Sequence, residues 1–233
     1  MVLSQAHQSV MKEGVMRRTW GAACLAACTF STSAQAVLSV PPRVAAGESY
    51  QLAFVTSVGT HAASTDISFY NAWVQAAADA AGIGGGTTWS AIASTAEVDA
   101  NANAPVSTKV FNLHGDLLAT GYSDYWDGTH AVGAGIDYNE YGVGKNTNVW
   151  TGSHTDGTRA GNQVLGHATA VWGESTLSSG GWINHGTQST AVSYSLYALS
   201  QPLTAPVPEP HRWAMLLLGV ALTGAMAMRR QPA

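Results

Sequence analysis

The densest group of side chains that could do chemistry lies in residues 120–148, a stretch rich in glycine, aspartate, tyrosine and asparagine. Its candidate cation ligands are Asp124, Asp127, Asp137 and Glu140, with Asn139 between the last two. Oxygen ligands on flexible loops suit calcium, although this spacing matches no EF-hand loop. Two interpretations stay open: a calcium site built from these carboxylates, or a solvated acidic loop that binds no metal.

The same stretch concentrates aromatic side chains that could stack on a sugar. They are Tyr122, Tyr125, Trp126, Tyr138 and Tyr141. Such rings present an apolar face, and nearby carboxylates can bond sugar hydroxyls. Tyr138 and Tyr141 are the better candidates for exposure. We expect Trp126, Trp150 and Trp172 to be buried instead, because they lie in motifs typical of a core.

Histidine and serine patterns give no catalytic motif. The central histidines are scattered in polar segments, which predicts surface positions; they are His61, His114, His130, His154, His167 and His185. No pair has helical i, i+4 spacing, and neither H-E-x-x-H nor G-x-S-x-G occurs. We therefore expect no enzymatic activity. The alternative is a hydrolase without a sequence signature, which requires a pocket holding a perturbed histidine or carboxylate and a nucleophile.

Composition excludes several classes of protein. Only 10% of the 233 residues are charged, against about 25% in ordinary soluble domains. Residues 37–205 hold twelve acidic and four basic side chains, a balance of −8. An acidic domain avoids phosphate backbones and anionic lipid, so we expect no nucleic-acid partner. Apolar runs occur only at the two ends, which excludes a multi-pass membrane protein.

The N-terminal end has the pattern of a secretory signal peptide. Arg17 and Arg18 precede an apolar stretch, and A-Q-A closes the segment at residues 34–36. This predicts a signal peptide over residues 1–36, cut by signal peptidase between Ala36 and Val37. Two alternatives lie within it. Translation could begin at Met16, and Leu-Ala-Ala-Cys ending at Cys28 resembles a lipobox that would make Cys28 a lipidated N-terminus.

The C-terminal end has the pattern of a second targeting segment. Pro208, Glu209 and Pro210 precede an apolar stretch over 213–228, and Arg229 and Arg230 follow it. Sixteen helical residues span about 24 Å, against a hydrocarbon core of about 30 Å. Snorkelling arginines close part of this gap. We therefore predict a transmembrane helix at 213–228, with its tail in the cytoplasm by the positive-inside rule and the domain outside the inner membrane.

The order of these C-terminal motifs resembles the PEP-CTERM sorting signal of Gram-negative bacteria. In that family an exosortase-type membrane protease processes the tail and releases the protein to the surface or the extracellular matrix. The resemblance implies that residues 206–233 are a sorting signal, that the inner membrane is a transient location, and that the mature protein belongs to the cell surface or a biofilm matrix.

Between the ends, local patterns predict an α+β domain over residues 37–205. Apolar residues at three-to-four spacing predict one main helix, capped by Ser64 or Thr65 and continuing through Ala81, with Gly82 as terminator. The face it is expected to present to the core holds Ile67, Tyr70, either Trp73 or Val74, Ala77 and Ala81. Strands are predicted at 50–57, 88–94, 109–113, 117–119, 149–151 and 191–199, and long loops fill 120–148.

Several short motifs of this domain resemble the endostatin branch of the C-type-lectin-like fold. They are V-F-N-L-H-G-D-L-L at 110–118, Y-W-D-G at 125–128, V-W-T-G-S at 149–153, Trp172, and Y-S-L-Y-A-L at 194–199. The resemblance implies one main helix, short antiparallel strands and long loops, and lectin-like folds often hold calcium in such loops. The disulfides, heparin-binding arginines and zinc-binding histidines of animal endostatin-like domains are absent, so it implies neither heparin nor zinc binding.

The sequence thus predicts an exported, non-enzymatic surface or matrix protein with exopolysaccharide as its expected ligand. A secreted hydrolase and a purely structural matrix protein are the alternatives.

Overall fold

The computed structural model describes residues 38–130 and 134–207. The predicted signal peptide at 1–36, its cleavage site between Ala36 and Val37, and Cys28 lie outside the described residues. So do the sorting motif Pro208–Pro210, the apolar stretch 213–228 and the pair Arg229–Arg230. Within the described ranges, no helix has the length and apolar character needed to cross a membrane.

The described chain is a mixed α/β domain with one large sheet and few helices. Its strands are β1 Ser49–Val55, β2 Thr60–His61, β3 Trp89–Ala91, β4 Lys109–Asn112, β5 Leu117–Ala119, β6 Asn148–Trp150, β7 Thr169–Glu174, β8 Gly186–Ser189, β9 Ser193–Ser200 and β10 Leu203–Thr204. Its helices are α1 Ile67–Ala80, α2 Ala100–Asn103 and α3 Tyr122–Tyr125, with a 3₁₀ turn at Gly180–Trp182. The sheet runs β5-β4-β1-β9-β6-β7-β8, with β2 and β3 paired to β9 and β10 paired to β1.

The prediction of antiparallel strands is wrong for two pairs. β1 runs parallel to β4, and β6 runs parallel to β9. A parallel pair needs a long crossover connection, and α1 lies in the connection between β1 and β4. The central strands β1 and β9 pair antiparallel. Both are buried along most of their length, which explains their nearly continuous apolar sequences.

Helix α1 confirms the predicted helix but begins one residue later than its predicted caps allow. Asp66 is the N-cap: its Oδ1 accepts a hydrogen bond from the backbone N–H of Ser68 at 2.9 Å. A carboxylate satisfies a free N–H there and also carries charge that the helix dipole favours. Gly82 follows the helix with φ +77°, the left-handed conformation expected of a terminator.

The core lies on both faces of the sheet because the side chains of β1 alternate. Leu52 and Phe54 pack with Tyr70 and Val74 of α1 on one face. Val55 faces the other side, where a second cluster contains Val110, Leu118, Tyr125, Trp182 and Tyr197. Helix α1 is therefore fixed against the sheet by its buried stripe, and its opposite side faces solvent.

His130 departs from the prediction of surface histidines. It is only 5% exposed, and its ring lies 4.3 Å, centroid to centroid, from that of Trp182. Neither ring nitrogen has a hydrogen-bond partner within the described residues. Burial lowers the pKa of His130 to about 4, although the Ala134 backbone and the carboxylates of Asp127 and Asp124 act in the opposite direction.

We expect the His130→Phe substitution to remove part of the acid sensitivity of the fold. In the unfolded state His130 is protonated near pH 6.5, whereas in the folded state it stays neutral down to about pH 4. Protonation therefore favours the unfolded state, and folding stability falls as the pH drops from about 6.5 to about 4. This linkage costs the native protein about 2 kcal/mol between pH 7 and pH 5. Urea unfolding should show that the variant loses less free energy of unfolding between pH 7 and pH 5 than the wild-type protein does. The exposed His154→Phe serves as control, and an unchanged pH dependence in His130→Phe would contradict the assignment.

Candidate functional site

The structure does not assemble the four candidate calcium ligands into a metal site. Asp124 Oδ2 accepts hydrogen bonds from the backbone N–H and hydroxyl of Thr120, and Asp127 Oδ1 accepts the equivalent pair from Thr129. Asp137 is partly buried, and that burial raises the pKa of its carboxyl. Among the described residues, no group of three or more His, Cys, Asp or Glu side chains is placed to hold a metal ion.

Glu140, the fourth candidate, is instead a buried structural anchor. Its Oε2 accepts a hydrogen bond from the backbone N–H of Ser57 at 2.7 Å, and its Oε1 accepts one from the Ser57 hydroxyl. The carboxylate thereby satisfies two donors just after β1 ends. Buried polar groups need such partners, since an unpaired one costs about 1–3 kcal/mol.

Lys145 fixes the other end of the same loop. Its Nζ donates to the carbonyl oxygens of Ser57 at 2.6 Å and Thr56 at 2.9 Å, and to the hydroxyl of Ser195 in β9 at 3.0 Å. Burial lowers the pKa of Lys145, and the Glu140 carboxylate opposes this in part. The loop 140–145 is therefore attached at both ends to the region where β1 and β9 meet.

Between these two attachments the loop presents Tyr141 to solvent. The side-chain oxygen of Asn139 accepts hydrogen bonds from the backbone N–H groups of Tyr141 and Val143, both at 3.0 Å. Gly142 has φ +72°, a conformation that favours glycine at this tight turn. The backbone is thus held while the Tyr141 side chain stays 59% exposed.

Tyr141 lines two neighbouring depressions, one beside α1 and one just beyond its C-terminal end. The first depression, of about 250 Å³, is lined by Trp73, Ala76, Ala77 and Ala80 of α1 and by Ser57 and Val58. The second, also about 250 Å³, is lined by Leu38, Ser39, Ala81, Ile83, Leu113 and Gly142. Glu140 and Tyr141 line both depressions. We call the two depressions together the α1 groove.

The α1 groove exists because α1 carries small residues on this side. Alanines at positions 76, 77 and 80 leave space that larger side chains would fill. Val58 and Tyr141, which line the first depression, are exposed apolar residues, and the exposed Phe69 ring lies 6.3 Å, centroid to centroid, from that of Trp73. The indole N–H of Trp73 lies 3.5 Å from the Val58 carbonyl oxygen, which orients the ring along the first depression. Exposed apolar patches of this kind mark interaction sites.

The aromatic predictions have mixed outcomes. Tyr141 is exposed as expected, but Tyr138 is partly buried, with its ring stacked on His114 at 4.7 Å. Trp126 and Trp150 are buried as predicted, whereas Trp172 is only partly buried. Trp73 was expected only as a helix-face residue. Its neighbouring alanines were the signal that one side of α1 is left open.

A second cavity, of about 340 Å³, lies beside the turn between β4 and β5. Its wall includes Arg43, His114 and Asp116, and the His114 Nδ1 lies 3.1 Å from an Asp116 carboxylate oxygen. The cavity wall thus places a histidine beside a carboxylate. The described residues lining the cavity include no Ser, Thr or Cys that could act as its nucleophile.

Comparison with models of known protein families finds no match to this chain, and a search of curated proteins finds no significant relative. Functional inference therefore depends on the geometry of the α1 groove and on the sequence motifs at the two ends.

We expect Glu140→Ala to destabilise the domain by about 1–3 kcal/mol, because it leaves two Ser57 donors without their acceptor. Hydrogen exchange should accelerate in the segments 56–59 and 139–145. Glu97→Ala is the matched control, since Glu97 is exposed. Equal stability and exchange in the two variants would show that Glu140 does not anchor the loop.

Proposed function

We propose that this protein is an exported, non-enzymatic surface or matrix protein that binds exopolysaccharide in the α1 groove. The observation that supports this proposal most directly is an exposed aromatic ring, Tyr141, on a loop fixed at both ends by buried hydrogen bonds. Because the backbone of this loop is already held, little backbone entropy is lost when a ligand stacks on the ring. Two neighbouring depressions that both adjoin Tyr141 suit a chain better than a compact small molecule.

The proposal needs no bound metal. Glu140 is the one predicted calcium ligand that lines the α1 groove, and both of its oxygens already accept hydrogen bonds from Ser57. We therefore expect a chelator of divalent cations to leave polysaccharide binding unchanged.

For the finer fold, we propose an endostatin-like variant of the C-type-lectin-like fold over residues 37–205. The order of elements supports this proposal: a first strand followed by the main helix, then the β4–β5 pair, then β6, with a long final strand. Pairing of β1 with β9 also brings the two ends of the domain together. The two parallel strand pairs are a departure from the expected pattern.

For export, we propose cleavage by signal peptidase after Ala36 and processing by an exosortase-type protease at the PEP-CTERM signal of residues 206–233. The support is the motif order at both ends of the sequence. At the C-terminal edge of the domain, the Gly47 backbone N–H donates to the Ala205 carbonyl oxygen at 2.9 Å. The domain therefore ends beside β1, immediately before the Pro208–Glu209–Pro210 motif.

We expect Tyr141→Ala to weaken binding to the host's exopolysaccharide by about tenfold or more, the loss typical of an exposed aromatic hot spot. Co-sedimentation with the purified polymer measures this. Tyr122→Ala is the control, because Tyr122 is also exposed but does not line the groove. Wild-type binding by Tyr141→Ala would refute the proposed site. A dimer in sedimentation velocity that only Tyr141→Ala abolishes would instead make the patch a protein interface.

A separate experiment tests sorting. Glu209→Ala should leave the protein in the inner-membrane fraction, because the Pro-Glu-Pro motif is the proposed recognition element of the processing enzyme. Cell fractionation and immunoblotting in the native host provide the measurement. Release of the variant into the medium at the wild-type level would contradict the sorting proposal and leave the groove proposal unaffected.

A further inference from the structure

We infer that the ligand of the α1 groove is an uncharged saccharide chain that occupies it with at least two consecutive sugar units, one on each side of Tyr141. This inference rests on the proposed function and narrows it to a class of polysaccharide. It excludes polyuronates and protonated amino-polysaccharides as the preferred ligands.

The first argument is that the groove offers no free charge. Glu140 is the only charged side chain among the described residues that line it, and Ser57 occupies both of its oxygens. The nearby ammonium of Lys145 donates to three protein oxygens. A sugar carboxylate would find no free cation here, and a sugar ammonium would find only the Glu140 carboxylate, which is 5% exposed and already bonded to Ser57.

The remaining basic side chains of the described domain are not among the residues that line the α1 groove. Lys109 pairs with Glu48 at 2.6 Å, and Arg159 pairs with Asp99 at 2.8 Å. Arg43 lines the separate cavity near His114. With a balance of −8 over residues 37–205, the long-range field also opposes a polyanion. At physiological salt this field is screened beyond about 8 Å, so the uncharged local surface decides between neutral and cationic chains.

The second argument is the chemistry of the walls. The first depression is lined by alanine methyl groups, the Trp73 ring and Val58, and the second by Leu38, Ile83 and Leu113. These surfaces suit the C–H faces of sugars, whereas a charged substituent buried against them would lose hydration without a partner. For the polar edge of a sugar, Ser39 supplies a hydroxyl in the second depression, and in the first the Ser57 hydroxyl, which donates to Glu140, offers its oxygen as an acceptor.

The third argument is the division of the groove into two depressions of equal volume. Both measure about 250 Å³, and Tyr141 lines both. A single sugar unit would occupy one depression and contact one face of the Tyr141 ring. A chain passing the Tyr141 ring fills both depressions, which predicts that the two halves contribute together to affinity.

The host's exopolysaccharide, separated by anion exchange into neutral and acidic fractions, provides the test. We expect the purified protein to bind the neutral fraction, with less than a twofold change in affinity between 50 mM and 500 mM salt. Preferred binding to the acidic fraction, or affinity that falls steeply with salt, would overturn the inference while leaving the groove proposal in place. Binding to neither fraction would overturn the proposed function itself.

Filling each depression tests the two-unit arrangement. Ala76→Trp occupies the first depression and Ser39→Trp the second, and both positions are exposed, so neither change disturbs the core. Each should reduce affinity for the neutral fraction about tenfold or more. The controls are Ala72→Trp, exposed on α1 outside the groove, and the exposed Ala46→Trp. If only one filling variant loses affinity, or if a monosaccharide competes as well as short oligomers, the two-unit arrangement is wrong.

Discussion

The candidate site depends on the hydrogen bonds by which Glu140 and Lys145 hold the residues that follow β1. Glu140 holds the backbone and hydroxyl of Ser57, while Lys145 holds the carbonyl oxygens of Thr56 and Ser57 and reaches Ser195 in β9. The backbone N–H of Val55 also donates to the Tyr138 carbonyl oxygen at 3.0 Å. These contacts make the loop that carries Tyr141 an extension of the central strands, so the ring is placed by the most buried part of the sheet.

Local patterns predicted the elements of this domain better than their pairing. The 3.6-residue periodicity gave α1, and β-forming runs gave strands at β1, β3, β4, β5, β6 and β9. Strands β2, β7, β8 and β10 were missed. The polar, glycine-containing sequence of β8 has no alternation and becomes a strand by pairing with β7. Parallel pairing was missed because a strand's own sequence does not specify its partner.

The candidate site was harder to predict than the strands, because its contacts join residues that are distant in the sequence. Glu140 and Lys145 looked like loop residues, since the atoms they contact on Ser57 are 83 and 88 positions away in sequence. Tyr141 was found because an aromatic residue among glycines and carboxylates suggests exposure. Trp73 was not, because three-to-four spacing fits either Trp73 or Val74 on the core face, and the packing of α1 selects Val74.

The absence of cysteine from residues 37–205 gives these polar contacts additional importance. A domain without disulfides depends on burial and on satisfied polar groups for rigidity. Gln51 is a buried side chain whose polar groups are all bonded: it donates to the carbonyl oxygens of Pro105 and Ser200 and accepts from the backbone N–H of Ser107. A groove whose rim is fixed in this way can bind a flexible polymer without first having to order itself.

Hydrogen exchange in the presence of neutral oligosaccharides from the host's exopolysaccharide tests the central claim most directly. The account predicts added protection centred on the segments 57–58 and 140–142, with further protection at 38–39 and 81–83, which line the second depression. Protection centred on the 114–117 turn beside the second cavity, or no change at any segment under saturating oligosaccharide, would contradict it.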